Sequence, residues 1–142
     1  MSTPKTGIHS STFESVERQG SPVGDAGFWQ LGAAQDPERP GFMHVRWGPN
    51  EGAPEHRHAS WTANIVLRGR LTIGGETYEA GAVCVIEPNV WYGPLLAGPE
   101  GAEILEIHAT LPGVEPLWRD PEDPAVLETE RWLDREGQRN WE

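Results

Sequence analysis

Turn signals interrupt this sequence at short intervals, and the segments left between them have the length of β-strands rather than of helices. Seventeen glycines and thirteen prolines are spread over the whole 142 residues. Between them lie short apolar stretches at residues 28–31, 41–47, 61–67, 70–73, 77–79, 82–86 and 102–109. Gly74-Gly75, between two such stretches, reads as a two-residue hairpin turn. The pattern predicts an all-β sandwich or small barrel. A chain of 142 residues can bury a sizeable core in one domain but is too short for two ordinary ones, so one site is expected.

The ends differ from the middle. Residues 1–26 are rich in Ser, Thr, Gly and Pro and show no sustained period, which predicts a loosely held arm with one strand near residues 12–16. Residues 27–111 form the barrel. From 112 to 142 the chain becomes an extension in which Pro112, Pro116, Pro121 and Pro124 precede a helix-favouring run at residues 125–136. Asp123 suits the cap of that short C-terminal helix and Pro124 its first position. Trp132 and Trp141 are assigned to packing or dimer contacts.

The formal net charge is −11, with only eleven Lys and Arg residues, and these are scattered. Binding nucleic-acid phosphates or an anionic membrane needs clustered positive charge, so neither is an expected partner. No apolar run approaches the roughly 20 residues that span a bilayer, and residues 1–17 lack the pattern of a signal peptide. A cytoplasmic protein is expected. Its single cysteine, Cys84, agrees with a reducing compartment, and the flanking Ala82, Val83, Val85 and Ile86 predict a packed thiol on a buried strand.

The chemistry concentrates in the segment from Gly48 to Leu71. Alternate side chains of an extended strand share a face, so His56 and His58 point the same way and can offer two imidazoles to one metal ion. Thr62, Asn64 and Val66 continue that face, and Trp61, Ala63, Ile65 and Leu67 form the opposite, apolar one. A polar inner row backed by an apolar outer row suits a barrel with a wet pocket inside and a second sheet or subunit outside. Glu106 and His108 share a face opposite Leu105 and Ile107. A Glu in an otherwise apolar strand is costly to bury unpaired, so this face meets either solvent or the pocket, and the pocket is favoured here. His44 and Arg46 are candidates for holding an anionic substrate group. Trp47, Trp61 and Trp91 fall near the expected mouth, where aromatic walls suit a flat, partly apolar substrate.

The segments Pro54-x-His56-x-His58, Val66-Leu67-Arg68-Gly69-Arg70-Leu71-x-Ile73, Gly81 and Glu87-Pro88-Asn89-Val90-Trp91-Tyr92-Gly93-Pro94 together resemble the cupin superfamily over roughly residues 42–108. The resemblance implies a double-stranded antiparallel β-barrel, or jelly roll, paired as a homodimer through the apolar outer row, with a small-molecule pocket. It also implies that Thr62 stands where the family carries its Glu ligand and Tyr92 where it carries its third His. The implied metal site is therefore His56 and His58, with Tyr92, holding a divalent ion (Zn, Fe, Mn or Ni are not distinguished) or working without metal. Oxygen insertion by the ordinary ligand set is disfavoured. The expected activity is that of a lyase, isomerase or cyclase on a small organic, aromatic or polyketide-like substrate. Its catalytic candidates are His56, His58, Tyr92 and Glu106, and its substrate contacts Arg46, Trp47, Asn64, Trp91 and His108. The alternative is a non-catalytic small-molecule sensor that kept the pocket and lost the metal site.

Overall fold

The computed structural model describes residues 7–15, 18–21, 24–29, 36 and 38–135. Among these run the strands β1 (Arg18–Ser21), β2 (Gly24–Trp29), β3 (Gly41–Trp47), β4 (Gly52–Ala53), β5 (His56–Arg57), β6 (Thr62–Ile73), β7 (Glu76–Glu79), β8 (Val83–Ile86), β9 (Leu95–His108) and β10 (Leu117–Trp118). A single 3-10 turn covers Leu111–Val114, and the helix α1 covers Pro124–Arg135. The main sheet runs β1-β2-β3-β9-β6-β7, with β4 on β9 and β8 on β6, while β5 and β10 form a separate two-stranded ladder.

The long strands β6 and β9 organise everything else. They pair antiparallel from Thr62↔His108 to Ile73↔Leu95, and the register shifts between Val66 and Arg68 and again between Gly69 and Leu71. Such irregularities bend and twist a strand pair. On one side of the bend β6 takes β8 as its second neighbour, and on the other it takes β7. β9 likewise passes from β4 to β3. Two bent strands thus belong to both sheets of a jelly-roll barrel. At the bend the backbones come so close that a Cβ on Gly69 would collide with the Gly101 carbonyl oxygen, and Gly69 has φ +75°.

Several sequence expectations need adjustment. Segments 61–67 and 70–73 are one strand, because Gly69 bends β6 rather than ending it. β9 begins at Leu95, seven residues before the expected start at 102, because Gly98-Pro99-Glu100-Gly101 looks like a turn but is held in the sheet. The sheet also reaches back to Arg18, inside the segment read as an arm. The strand expected near residues 12–16 is instead a turn, closed by Thr12 and Ser15 accepting and donating hydrogen bonds of 2.9–3.2 Å. Leu31, counted in the first barrel strand, lies outside the described residues, as do Glu136, Trp141 and the side chain of Trp132. Gly74-Gly75 does form the two-residue turn, with φ +56° and +95° between the paired Ile73 and Glu76. The Asp123 Oδ1 accepts the Ala125 N–H at 2.8 Å, so the helix starts as expected.

Apolar packing fills one end of the barrel. Val66, Leu71, Leu95, Ala97, Ala102 and Ile104 are buried there with Tyr92, and a smaller cluster of Val45, Leu111 and Val114 lies beneath the 3-10 turn. The β8 face was expected to be buried, yet Val83 and Val85 are each 62% exposed and Cys84 is half-buried. An apolar run marks a strand without saying whether another layer covers it.

His44 and Arg46 are on the outside of the sheet and serve Glu103, which corrects their reading as substrate contacts. The Glu103 carboxylate meets His44 Nε2 at 2.6 Å, Arg46 at 3.7 Å and Arg68 at 3.5 Å. Phe13 stacks on the His44 ring at 4.4 Å, and His44 is fully buried. Burial raises the Glu103 proton affinity, but His44 and the two arginines outweigh it and hold the carboxyl below its ordinary range.

Gly69→Ala should lose about 1–3 kcal/mol of stability, the usual range for a strained backbone position, and more if the Gly101 carbonyl cannot retreat. Urea unfolding followed by tryptophan fluorescence measures it, and an unchanged midpoint would contradict the close approach at the bend.

Candidate functional site

The other end of the barrel holds buried polar side chains, and three elements build it. The first is the short ladder of β5, where His56 and Tyr92 exchange backbone hydrogen bonds of 3.1 and 3.0 Å and so stand opposite each other. The second is the register of β6 with β9, which sets Thr62 beside His108 and Asn64 beside Glu106. The third is the 3-10 turn, whose Gly113 carbonyl receives His58. His44 excepted, these are the buried polar side chains of the described residues: His56, His58, Thr62, Asn64, Glu106 and His108.

The hydrogen-bond network assigns the tautomers. His56 Nδ1 donates to the Pro54 carbonyl at 2.7 Å, and His58 Nδ1 donates to the Gly113 carbonyl at 3.0 Å. The Thr62 hydroxyl donates to the Ser60 carbonyl at 3.4 Å, which leaves its oxygen to accept from His108 Nδ1 at 3.1 Å. Each ring therefore keeps its proton on Nδ1 and presents an Nε2 lone pair. The rings are close: centroids lie 4.9 Å apart for His56 and His58, 4.5 Å for His58 and His108, and 4.7 Å for His56 and Tyr92.

Among the described residues, His58 Nε2, His108 Nε2, Tyr92 Oη, Trp118 Nε1 and both amide atoms of Asn64 are buried without a hydrogen-bond partner. An unmatched buried polar group costs about 1–3 kcal/mol, so a concentration of them at one place marks a surface built to meet something else. His58, Glu106 and His108 each bring one ligand atom within 4.8 Å of the others, which suits a divalent cation.

Burial dominates the proton affinities. It lowers His56 to about 4, against the hydrogen bond to the Pro54 carbonyl. It lowers His58 to about 2, helped by the charges of His108 and His56 and opposed by backbone bonds at Gly113 and Glu115. His108 falls to about 3 by burial and then by the charge of His56. Burial raises Glu106 to about 7. Tyr92 goes well above the ordinary phenol value by burial and then by the Glu106 charge, with the Asn64 amide pulling the other way. At neutral pH the imidazoles are neutral, the phenol is protonated and Glu106 is near its midpoint.

Of the sequence candidates, His56, His58, Asn64, Tyr92, Glu106 and His108 are brought together. Arg46, Trp47 and Trp91 are not. Trp47 pairs with Ala102 and packs against both apolar clusters. Trp91 carries the Arg57 and Arg119 guanidinium groups at 4.8 and 5.1 Å from its ring centre, an arrangement of charges on an aromatic face that occupies it. Trp118 went unnoticed: it pairs with His56 across β5 and β10, and the two rings are 5.3 Å apart. Its only signal in the sequence was a tryptophan in a proline-rich stretch. The hydrogen bond between Thr62 and His108 was equally hidden, because it depends on a pairing 46 residues away.

With the barrel and its polar end established, residues 43–108 match the family described as cupin domain. No curated protein sequence matches it. A chain in the complex of Rhodobacter sphaeroides SigE with the anti-sigma ChrR is similar at 15% identity and TM-score 0.56, over 68% of this chain and 51% of that one. Oxalate decarboxylase from Bacillus subtilis is similar at 17% identity and TM-score 0.59, over 80% of this chain and 31% of that one. The chain thus spans about half of the first and a third of the second. The polyketide cyclase RemF from Streptomyces resistomycificus is similar at 14% identity and TM-score 0.62, over 86% of this chain and 98% of that one. At such identities the likeness is one of fold.

The shifted affinities imply a pH profile for the metal-free protein. For a histidine held below its ordinary 6.5, the unfolded chain takes protons that the folded one refuses, so stability is intact above 6.5 and is lost as pH falls. Glu106, held above its ordinary 4.5, acts oppositely, with stability lost as pH rises toward about 7. Three histidines outweigh one carboxyl. The thermal midpoint of chelator-treated protein should therefore fall from pH 6.5 to pH 4.5, and fall less in His108→Gln. A flat profile in the unaltered protein would contradict neutral buried imidazoles.

Proposed function

We propose that this protein is an enzyme of the lyase, isomerase or cyclase class that moves protons on a small organic substrate. The observation that carries the reading is the meeting, in one buried pocket, of a phenol that burial keeps protonated with imidazoles that burial keeps neutral. Groups whose environments push their proton affinities apart are suited to acid and base roles. His56 Nε2 is the base and Tyr92 Oη the acid, 4.7 Å apart ring to ring on facing strands. Glu106, whose proton affinity burial raises, faces the same site from β9. The unpartnered Asn64 amide can orient a carbonyl or carboxylate, and the Tyr92 and Trp118 rings beside His56 suit a flat, partly apolar substrate. The unpaired Nε2 atoms of His58 and His108 beside Glu106 fit a divalent cation. When bound, such an ion polarises a substrate carbonyl or carboxylate.

A panel of small organic acids and aromatic carbonyl compounds, followed by mass spectrometry and by proton exchange from deuterated solvent, supplies the assay. On a converted substrate, Tyr92→Phe should keep the fold and reduce turnover by about 10²-fold or more. His56→Ala should cost at least as much, and the double variant less than the product of the two, as for groups that act together. Full activity in Tyr92→Phe would remove the phenol from the mechanism. A panel that binds and is never converted would favour the sensor reading.

The proposal includes a homodimer in the reducing cytoplasm, the latter in keeping with a lone cysteine. On the outer face of β6 and β8, Trp61, Leu67, Val83 and Val85 are exposed around the half-buried Ala63 and Ile65. A contiguous apolar face of this kind calls for cover. Light scattering at micromolar concentration should give twice the chain mass, and Val83→Lys with Val85→Glu should give a monomer. A monomer before substitution would refute the pairing.

A further inference from the structure

The site holds three histidines, and their surroundings differ. His58 and His108 have the closest rings of the set, at 4.5 Å, and both Nε2 atoms are buried and unpartnered. Glu106 lies two residues before His108 on β9, so both side chains enter on the same face, and the ligand atoms of all three lie within 4.8 Å of one another. That group is one carboxylate and two neutral imidazoles, a mixed N,O set that divalent transition metals accept. His56 stands apart from it. Its ring faces Tyr92 and Trp118, at 4.7 and 5.3 Å.

Resting on the reading that this pocket takes a divalent ion, we propose that the ion is held by His58, Glu106 and His108, with Thr62 as the positioning residue that orients His108 and with His56 and Tyr92 outside the coordination sphere. The donor set then spans two elements rather than the His56/His58 motif alone. His58 comes from the segment after β5, and Glu106 and His108 come from the end of β9. Thr62, at the position where a carboxylate ligand was expected, has a different duty. Its hydroxyl is bound to the Ser60 carbonyl and accepts His108 Nδ1–H at 3.1 Å, which sets the tautomer and turns Nε2 toward the ion. The Gly113 carbonyl does the same for His58. Outer partners of this kind fix the ring orientation of ligating histidines, and their loss typically weakens metal binding 10–100-fold. The division also separates labour: one side of the pocket holds the cation, and the His56–Tyr92 side is left for proton transfer.

The test is direct metal binding, independent of turnover. Chelator-treated protein is titrated with Co²⁺, read by its visible absorption and by competition with Zn²⁺. Pulsed electron paramagnetic resonance of the Cu²⁺-loaded protein counts bound imidazoles. The unaltered protein should bind one Co²⁺ per chain and show two imidazoles. His108→Gln should leave one, and Glu106→Gln should weaken binding at least 10-fold. His56→Gln should keep two imidazoles, and Tyr92→Phe should change Co²⁺ affinity less than threefold. Thr62→Val should weaken binding 10–100-fold, with Thr62→Ser restoring it. Circular dichroism of each variant reports the fold, and the imidazole count in any variant that stays folded suffices for a decision. Loss of an imidazole in His56→Gln but not in His108→Gln would overturn the donor set. Unchanged affinity in Thr62→Val would overturn the role of the threonine. Absence of Co²⁺ binding at millimolar concentration would overturn the site altogether and leave the acid–base reading to stand on turnover of the metal-free protein.

Discussion

The antiparallel pairing of β6 with β9 is the constraint on which the rest of the structure depends. Each strand is long enough to cross the barrel, and the bend at Gly69 and Gly101 lets both serve two sheets. Before the bend the inward row of β6 carries Thr62, Asn64 and Val66, and across from it β9 carries His108, Glu106 and Ile104. After the bend the inward row is Leu71 facing Ala97. One ladder therefore sets the position of the polar site and of the apolar core together. A slip of one residue would exchange inner for outer faces along both strands, turning Glu106 out and Leu105 in. The outer cluster of Glu103 with His44, Arg46 and Arg68 works against such a slip, since it ties β3, β9 and β6 at one level.

Much of the fold was legible because it rests on local signals. The Gly74-Gly75 turn, the Asp123-Pro124 helix start and the alternation through His56, His58, Thr62, Asn64 and Val66 are all properties of neighbouring residues. What escaped depends on long-range pairing. Gly98-Pro99-Glu100-Gly101 looks like a turn to any local criterion, yet β9 runs through it because β4 and β6 pair before it, up to Ala97, and β3 and β6 pair after it, from Ala102. The apolar β8 looks like a core strand, yet among the described residues its outward Val83 and Val85 are exposed.

The site divides along the same line. The shared inward direction of His56 and His58 follows from parity alone. That Glu106 and His108 join them does not, because period two leaves a polar row free to face either water or a pocket, and only the partner strand decides. Arg46 shows the reverse error. A cation two residues from a histidine looked like an anion-binding pair, but Glu103 on the neighbouring strand had already claimed both. Trp118 sat beyond any pattern, since its place opposite His56 comes from a two-residue ladder between distant segments.

The split of the barrel into a packed end and a polar end also bears on how such a chain can change over time. The apolar residues that hold the fold, Leu71, Leu95, Ala97 and Ile104 among them, meet the site through Tyr92, the member of their cluster whose ring also faces His56 and His58. A substitution at His56, His58, Asn64, Glu106 or His108 can therefore alter which groups face a bound molecule while leaving the aliphatic packing beneath in place. Buried, unmatched polar atoms are a standing cost to the folded state, and a fold whose stability is secured elsewhere can carry that cost. Drift in the chemistry of one end is thereby largely separated from drift in the stability of the other, with Tyr92 as the residue that answers to both.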